Sequence, residues 1–275
     1  MGFFRKILIA VDDSAPAQYA VDVGLAIAQE DGAEVAFAVV LEPAFVARDY
    51  GFMVVGEVAD ILADELARGA NARAARLGIT ASSEVFFDDP RAGIVDLARR
   101  EGVDLIVLGR HPDPPLMRLL TRNIVEEVLR TTTIPLCVVR RPRIGTIYRR
   151  ILVPVVEDDD LGRIATDYAC ALARAFGSTL LFCTIAGTGG AAPTTGLLER
   201  SQRGAAERGV SAEGIVLERA GRVSGTIVRN AAAQGCDAII MATHAREGIP
   251  HLTEGSVTEA VVRTSDIPVI AVRGG

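Results

Sequence analysis

The chain has 275 residues, 49% of them hydrophobic and 23% charged, with a formal net charge of -6. Two domains of ordinary size with packed cores fit that length and composition. The acidic balance lacks the cationic surface that nucleic-acid binding needs to displace counterions, and no basic amphipathic stretch points to a membrane surface.

In chain order, the opening MGFFRKILIAVDDS reaches acidic residues after a short apolar run, unlike a secretory leader. Nowhere does an uncharged apolar segment approach the length of a membrane span. The run KILIAV reads as a buried strand. Ala20, Val23, Gly24, Ile27 and Ala28 then recur at the spacing of an amphipathic helix, and Gly32 suits the position just past its end, where positive φ is wanted. A strand EVAFAVV follows, then a helix, the strand SEVFF, the helix GIVDLARR, the strand DLIVLG, a helix and the strand PLCVV. After the basic segment RRPRIGTIYRR, Arg140 to Arg150, the same succession returns. RILVPVV precedes a helix with Ala165, Tyr168, Ala169, Leu172 and Ala173 on one stripe and Gly177 past its end. TLLFCTI, a helix, GIVLE, the helix SGTIVRNAAA, DAIIMA, a helix and PVIAV complete the chain.

The recurrence is a duplication. A shift of 133 positions brings Asp104, Ile106, His111, Leu119, Glu126, Val128, Arg130, Thr131, Ile134, Pro135, Val139 and Arg140 onto identical residues, from Asp237 to Arg273. Near the start of each copy the shift is 144 to 145, which pairs Ile7 with Ile151, Gly32 with Gly177 and Phe37 with Phe182. The second copy is shorter, chiefly after Leu41, where the first carries EPAFVARDYGFMVVGEV. The reading is two domains, 1–141 and 149–275, joined by the basic segment.

Strands that are apolar on both faces and alternate with helices imply a parallel sheet covered on both sides. Right-handed crossovers then make each half an α/β, doubly wound, five-stranded domain of Rossmann-like type. Each last strand begins with proline, Pro135 or Pro268, which suits a strand start or a sheet edge. Two apolar edges in one chain are expected to cover each other, so pairing of the fifth strands about a pseudo-twofold axis is predicted. In such a sheet, ligands bind beyond the carboxyl ends of the strands where the winding reverses, between the first and fourth strands.

The rims of those two clefts carry a resemblance. Asp12 follows the first strand, Gly109 ends the fourth, and Gly255-Ser256 opens the last helix of the second copy. With the strand-loop-helix-"IP"-strand block at the end of each copy, these residues resemble the universal stress protein family, in its tandem form, over essentially the whole chain. The family carries an aspartate after strand one and G-x-x-G-x9-G-S/T from strand four into the last helix. The resemblance implies the HUP-type fold and a cytoplasmic stress-response role, together with homodimer formation and binding of ATP or AMP. Its glycines let backbone approach phosphates, and its G-S/T offers N–H groups at a helix N-terminus, which attracts anions. The copies depart from that pattern. In the first, Pro112 stands at the second glycine and Arg122-Asn123 at G-S; in the second, Ala242 and Ala245 replace the earlier glycines and Val156 the aspartate. Carried over, the implied nucleotide contacts of the second copy are Ile185, Met241, Ala242, Ala245, Gly255, Ser256 and Val257. Those of the first are Asp12, Val40, Gly109, Arg110 and Asn123.

Other features read as structure. His111 and His244 are equivalent loop residues; with His251 they form no cysteine- or carboxylate-bearing ligand cluster, so no metal is expected. The stretch Ala186 to Gly196 is glycine-rich but lacks the lysine of a phosphate loop. The acidic run Glu157 to Asp160 suits a helix start. Phe45, Tyr50, Phe52 and Met53 make the first-copy insert apolar, fit for core packing or for covering the first cleft. Cys137, Cys170, Cys183 and Cys236 show no CxxC spacing and read as buried, reduced thiols. No nucleophile, base and orienting group come together in the sequence, so a binding protein rather than an enzyme is expected. The alternative is a nucleotide-free scaffold, or a holder of an apolar ligand.

Overall fold

The computed structural model describes residues 2–40, 55–86, 90–110, 124–141, 148–155, 160–186, 194–244 and 257–274. The chain divides into two compact units, Gly2–Pro142 and Arg143–Gly275. The N-terminal unit runs β1 (Lys6–Val11), α1 (Ala15–Asp31), β2 (Glu34–Val40), α2 (Val55–Arg76), β3 (Ala81–Phe86), α3 (Pro90–Arg100), β4 (Leu105–Gly109), α4 (Ile124–Thr131) and β5 (Leu136–Val139). The C-terminal unit repeats this as β6 (Arg150–Pro154), α5 (Asp160–Phe176), β7 (Thr179–Ile185), α6 (Thr194–Glu207), β8 (Ala212–Leu217), α7 (Val223–Ala233), β9 (Ala238–His244), α8 (Val257–Thr264) and β10 (Val269–Gly274). Strands lie in the order β3-β2-β1-β4-β5 in the first unit and β8-β7-β6-β9-β10 in the second. All described pairings inside the units are parallel. The winding therefore reverses between β1 and β4, and again between β6 and β9.

Local chemistry explains the helix boundaries. Ser14 caps α1, its Oγ accepting from the Ala17 N–H, and Pro16 sits in the first turn, where its missing N–H costs nothing. At the far end Gly32 takes φ 73°, and Ala33 N donates to Ala28 O at 2.9 Å, closing the helix in a Schellman turn. The second copy repeats the device: Gly177 has φ 65° and Ser178 N donates to Ala173 O at 2.9 Å. The stripe of α1 read from the sequence is buried, and Val21 and Leu25 are buried with it, so this helix is covered on more than one side.

Strands near the middle of each unit carry apolar side chains on both faces: Ile7, Leu8 and Ile9 of β1, and Leu105, Ile106 and Val107 of β4, are fully buried. Strand β3, at the outer end of its unit's order, is half exposed, and so is β8. Burial of this kind stabilises by about 25 cal/mol per Å² removed from water, roughly 1.5–3 kcal/mol for each fully buried large aliphatic side chain.

One carboxylate fixes the start of β1 and its repeat fixes β6. Asp104 Oδ2, ahead of β4, accepts from Arg5 N at 2.7 Å and Lys6 N at 3.2 Å. Asp237, ahead of β9, accepts from Arg149 N at 2.8 Å and Arg150 N at 3.1 Å. Each aspartate also donates its own N–H back to the neighbouring strand, to Lys6 O and Arg150 O. The two central strands of each unit are thereby pinned in register at their amino ends, which sets where their carboxyl ends, and hence the cleft, come to lie. One feature had no signal in the sequence: fully buried Tyr148 takes φ 61° and meets the Phe176 ring edge to face at 5.3 Å.

Candidate functional site

Strand register sorts the cleft residues onto two faces. Ile9 pairs with Phe37 and with Val107, and a Cβ placed on Gly24 of α1 would meet Ile9 Cδ1 at 2.5 Å and Val107 Cγ2 at 3.6 Å. These side chains thus lie under α1. Alternation then puts Gly109 on the α1 face and Val40, Leu108 and Arg110 on the opposite face, toward α3 and α4. Two contacts agree: Phe86, which pairs with Val40, lies against Gly93 of α3, and Arg110 Nη2 lies 3.6 Å from Glu126 Oε1 of α4.

In the first cleft the candidate residues already serve the protein itself. Asp12 Oδ1 accepts from Ser14 N at 2.8 Å, and the Asp12 carbonyl accepts from the Gln18 amide at 3.1 Å, so this aspartate organises the turn into α1. Arg110 is only 2% exposed; its N–H donates to Val139 O at 2.8 Å and its guanidinium holds the first turn of α4 through Glu126. Val40 is buried at the end of β2. Gly109 does not face open space. A Cβ there would fall 2.5 Å from Ala17 N and from Pro16 O, and closer still to the Pro16 carbonyl carbon. The resemblance implies a nucleotide contact at this glycine; the structure shows the first turn of α1 packed against it. Asn123 lies outside the described residues.

In the second cleft Leu152 pairs with Ile239 and Pro154 with Cys183, so Pro154, Ile185, Met241 and Thr243 share one face at the carboxyl ends of β6, β7 and β9. Ile185 and Met241 are buried and Thr243 nearly so. Among the described residues this is an apolar floor whose one hydroxyl is that of Thr243, better matched to an apolar group than to a charge. Ala242 points to the α5 face instead, and its carbonyl accepts from Thr258 Oγ1 at 2.8 Å. That bond ties the opening turn of α8 to the end of β9. Val257 begins α8 and is 40% exposed, the one described candidate open to solvent. Of the remaining candidates, Ala245, Gly255 and Ser256 lie outside the described residues.

Sequence reasoning missed Thr243 and Thr258. Their counterparts at a shift of 133 are Arg110 and Val125, so the signal was a paired exchange between copies, a hydroxyl for a guanidinium on the strand and a hydroxyl for an apolar side chain on the helix, visible only once the faces are known. The two units hold the same helix to the same strand by different means, an ion pair from a buried arginine to a half-exposed glutamate in one and a side-chain-to-carbonyl bond in the other.

The four cysteines are buried and none is in a disulfide. Burial pushes the Cys183 thiol up to about 12. Among the described residues no three His, Cys, Asp or Glu side chains gather as a metal site, and no helix is long and apolar enough to cross a membrane.

The comparisons with known proteins agree with this architecture. A universal stress protein of Methanocaldococcus jannaschii is 28% identical over 143 residues, which is 51% of this chain and 84% of that protein. Among solved structures, a universal stress protein from Archaeoglobus fulgidus superposes with TM-score 0.78 at 19% identity, covering 98% of this chain and 96% of its own. A Pseudomonas aeruginosa protein described as functionally unknown gives TM-score 0.65 at 21% identity, covering 98% and 93%. These structural likenesses establish the fold. The model of the universal stress protein family matches residues 3–140 and again 147–273. The chain therefore belongs to the universal stress protein family, as a tandem of two of its domains.

Proposed function

We propose that the chain acts by binding an adenine nucleotide, ATP or AMP, in the cleft of the C-terminal unit, as a cytoplasmic stress-response receptor rather than an enzyme. The observation that carries this reading is the apolar floor of Ile185 and Met241 beside the Thr243 hydroxyl, at the reversal of the winding. In this reading a base stacks there and the phosphates lie toward the N-terminus of α8, whose free N–H groups attract anions; Ser256, the residue before α8 in the sequence, is the proposed hydroxyl contact. The N-terminal unit supports a different role. Its Asp12 and Arg110 are spent on the α1 turn and on Glu126, which favours a scaffold with no nucleotide of its own. Self-association into a homodimer of tandem chains completes the proposal.

Native mass spectrometry of the purified chain, followed by equilibrium dialysis with ATP and with AMP, tests the proposal. One nucleotide per chain is expected, and Ser256→Trp should remove it. No bound nucleotide at millimolar ligand would leave both units as scaffold.

A further inference from the structure

We infer that Thr243 sets the ligand choice of the C-terminal cleft, its hydroxyl hydrogen-bonding the polar edge of the bound ring, and that arginine at the same place, Arg110, closes the N-terminal cleft. This rests on the proposal that the C-terminal cleft takes a nucleotide.

The observation is a buried hydroxyl that the fold does not use. Thr243 is 8% exposed, yet among the described residues its hydroxyl has no hydrogen-bond partner. Buried side-chain polar groups are nearly always paired, and one left alone weakens the fold. Thr258, close by in the first turn of α8, does serve the fold, through the Ala242 carbonyl. The Thr243 hydroxyl keeps its capacity as donor and as acceptor.

Register shows where that capacity lies. Leu152 of β6 pairs with Leu181 of β7 and with Ile239 of β9. Four residues further along each outer strand, Ile185 and Thr243 stand at one level and on one face. Strand β6, which runs between them, ends at Pro154, two residues short of that level. Neighbouring strands are about 4.8 Å apart, so the Ile185 and Thr243 backbones stand about 10 Å apart across the reversal. A ring lying over the floor from Ile185 brings its edge to the hydroxyl. A ligand without a polar edge gains the Ile185 and Met241 contacts but leaves the hydroxyl unpaired. The cleft therefore selects a heterocycle with a hydrogen-bonding atom on its rim over a purely aliphatic or aromatic group.

The N-terminal unit differs at this one place on the floor. Arg110, the counterpart of Thr243 at the shift of 133, is enclosed, and its guanidinium lies 3.6 Å from Glu126 in the first turn of α4. A long side chain with its own partner stands where the C-terminal unit has a short, unpartnered hydroxyl. Glu259 occupies in α8 the place of Glu126, so an arginine at position 243 has a carboxylate to meet.

Calorimetric titration of the full chain with ATP, together with thermal melting of the ligand-free chain, tests the inference. Thr243→Val keeps the shape and removes the hydroxyl. It should bind ATP about tenfold more weakly, yet melt about 2 °C or more above wild type without ligand, because no partner is lost. Thr243→Arg should fold and bind no ATP. Unchanged affinity or a melting temperature no higher than wild type in Thr243→Val, or ATP binding retained by Thr243→Arg, would overturn the inference. If Thr243→Arg does not fold, Thr243→Val decides alone. A wild-type chain that takes no ATP refutes the nucleotide proposal; the melting comparison then judges by itself whether the fold uses the hydroxyl.

Discussion

Asp237 should be the more costly of the two strand anchors to remove. Its side chain accepts two backbone N–H groups, from Arg149 at 2.8 Å and Arg150 at 3.1 Å, and the residue is 5% exposed. Asp237→Ala leaves both donors without that acceptor in a site that admits little water. A buried donor left unsatisfied costs about 1–3 kcal/mol, and bonds to an ionised acceptor lie at the upper end. Allowing for partial relaxation, the loss is about 3 kcal/mol, or about 6–12 °C in melting temperature for a domain of this size. Asp104 has the same role with 26% of its side chain exposed, so water replaces part of what is lost, and Asp104→Ala should cost about 1–2 kcal/mol.

The pH dependence at Asp104 checks the cause. Burial alone would raise its carboxyl pKa, but the N–H groups of Arg5 and Lys6 and the Arg5 guanidinium outweigh it and hold the value below the usual 3.8. A folded pKa below the unfolded one means the stabilisation is complete above the unfolded value and is lost as pH falls through the folded value. Urea unfolding of wild type and Asp104→Asn should therefore differ by a constant amount from about pH 7 to about pH 5 and converge below about pH 4. A difference that persists at acid pH, or an Asp237→Ala variant that melts within a degree or so of wild type, would refute the anchoring role.

Other outcomes follow from the same structure. Arg110→Met should change stability by less than about 1 kcal/mol, because Glu126 is 41% exposed and rehydrates; Glu126→Ala takes a carboxylate from a buried guanidinium and should cost about 1–3 kcal/mol by urea titration. A thiol reagent at neutral pH should find no fast-reacting cysteine in the native protein and four after denaturation, since all four are buried and the Cys183 thiolate is strongly disfavoured. Gly32→Ala and Gly177→Ala should each cost about 1 kcal/mol by calorimetry, since alanine pays a backbone penalty at φ 73° and 65°.

Much of the fold is written in local pattern. EVAFAVV and TLLFCTI coincide with β2 and β7 because a strand buried on both faces is apolar along nearly its whole length, with Glu34 and Thr179 at the less buried starts. Gly32 and Gly177 were legible because only glycine takes left-handed backbone cheaply at a helix end. Pro135 and Pro268 stand just ahead of β5 and β10, where their carbonyls accept from Ile106 and Ile239. The cleft was less legible. Asp104 and Asp237 stood out as a repeated match, but their function depends on which backbone N–H groups the fold brings within 3 Å, and no spacing rule encodes that. Gly109 is a ligand contact only by what the family resemblance implies; a glycine at a strand end serves close approach of any kind, and the sequence does not show that the first turn of α1 packs against it. Arg110 read as a rim residue, yet alternation turns it inward under α4.

Calorimetric titration of ATP into wild type, Ile185→Asp and Val40→Asp, the equivalent ends of β7 and β2, bears most directly on the proposal that one cleft of the pair is the receptor. One site per chain is predicted, abolished by Ile185→Asp because a carboxylate spoils the apolar floor and repels phosphate, and retained by Val40→Asp. Binding that survives Ile185→Asp and disappears with Val40→Asp, or two sites per chain, would contradict it.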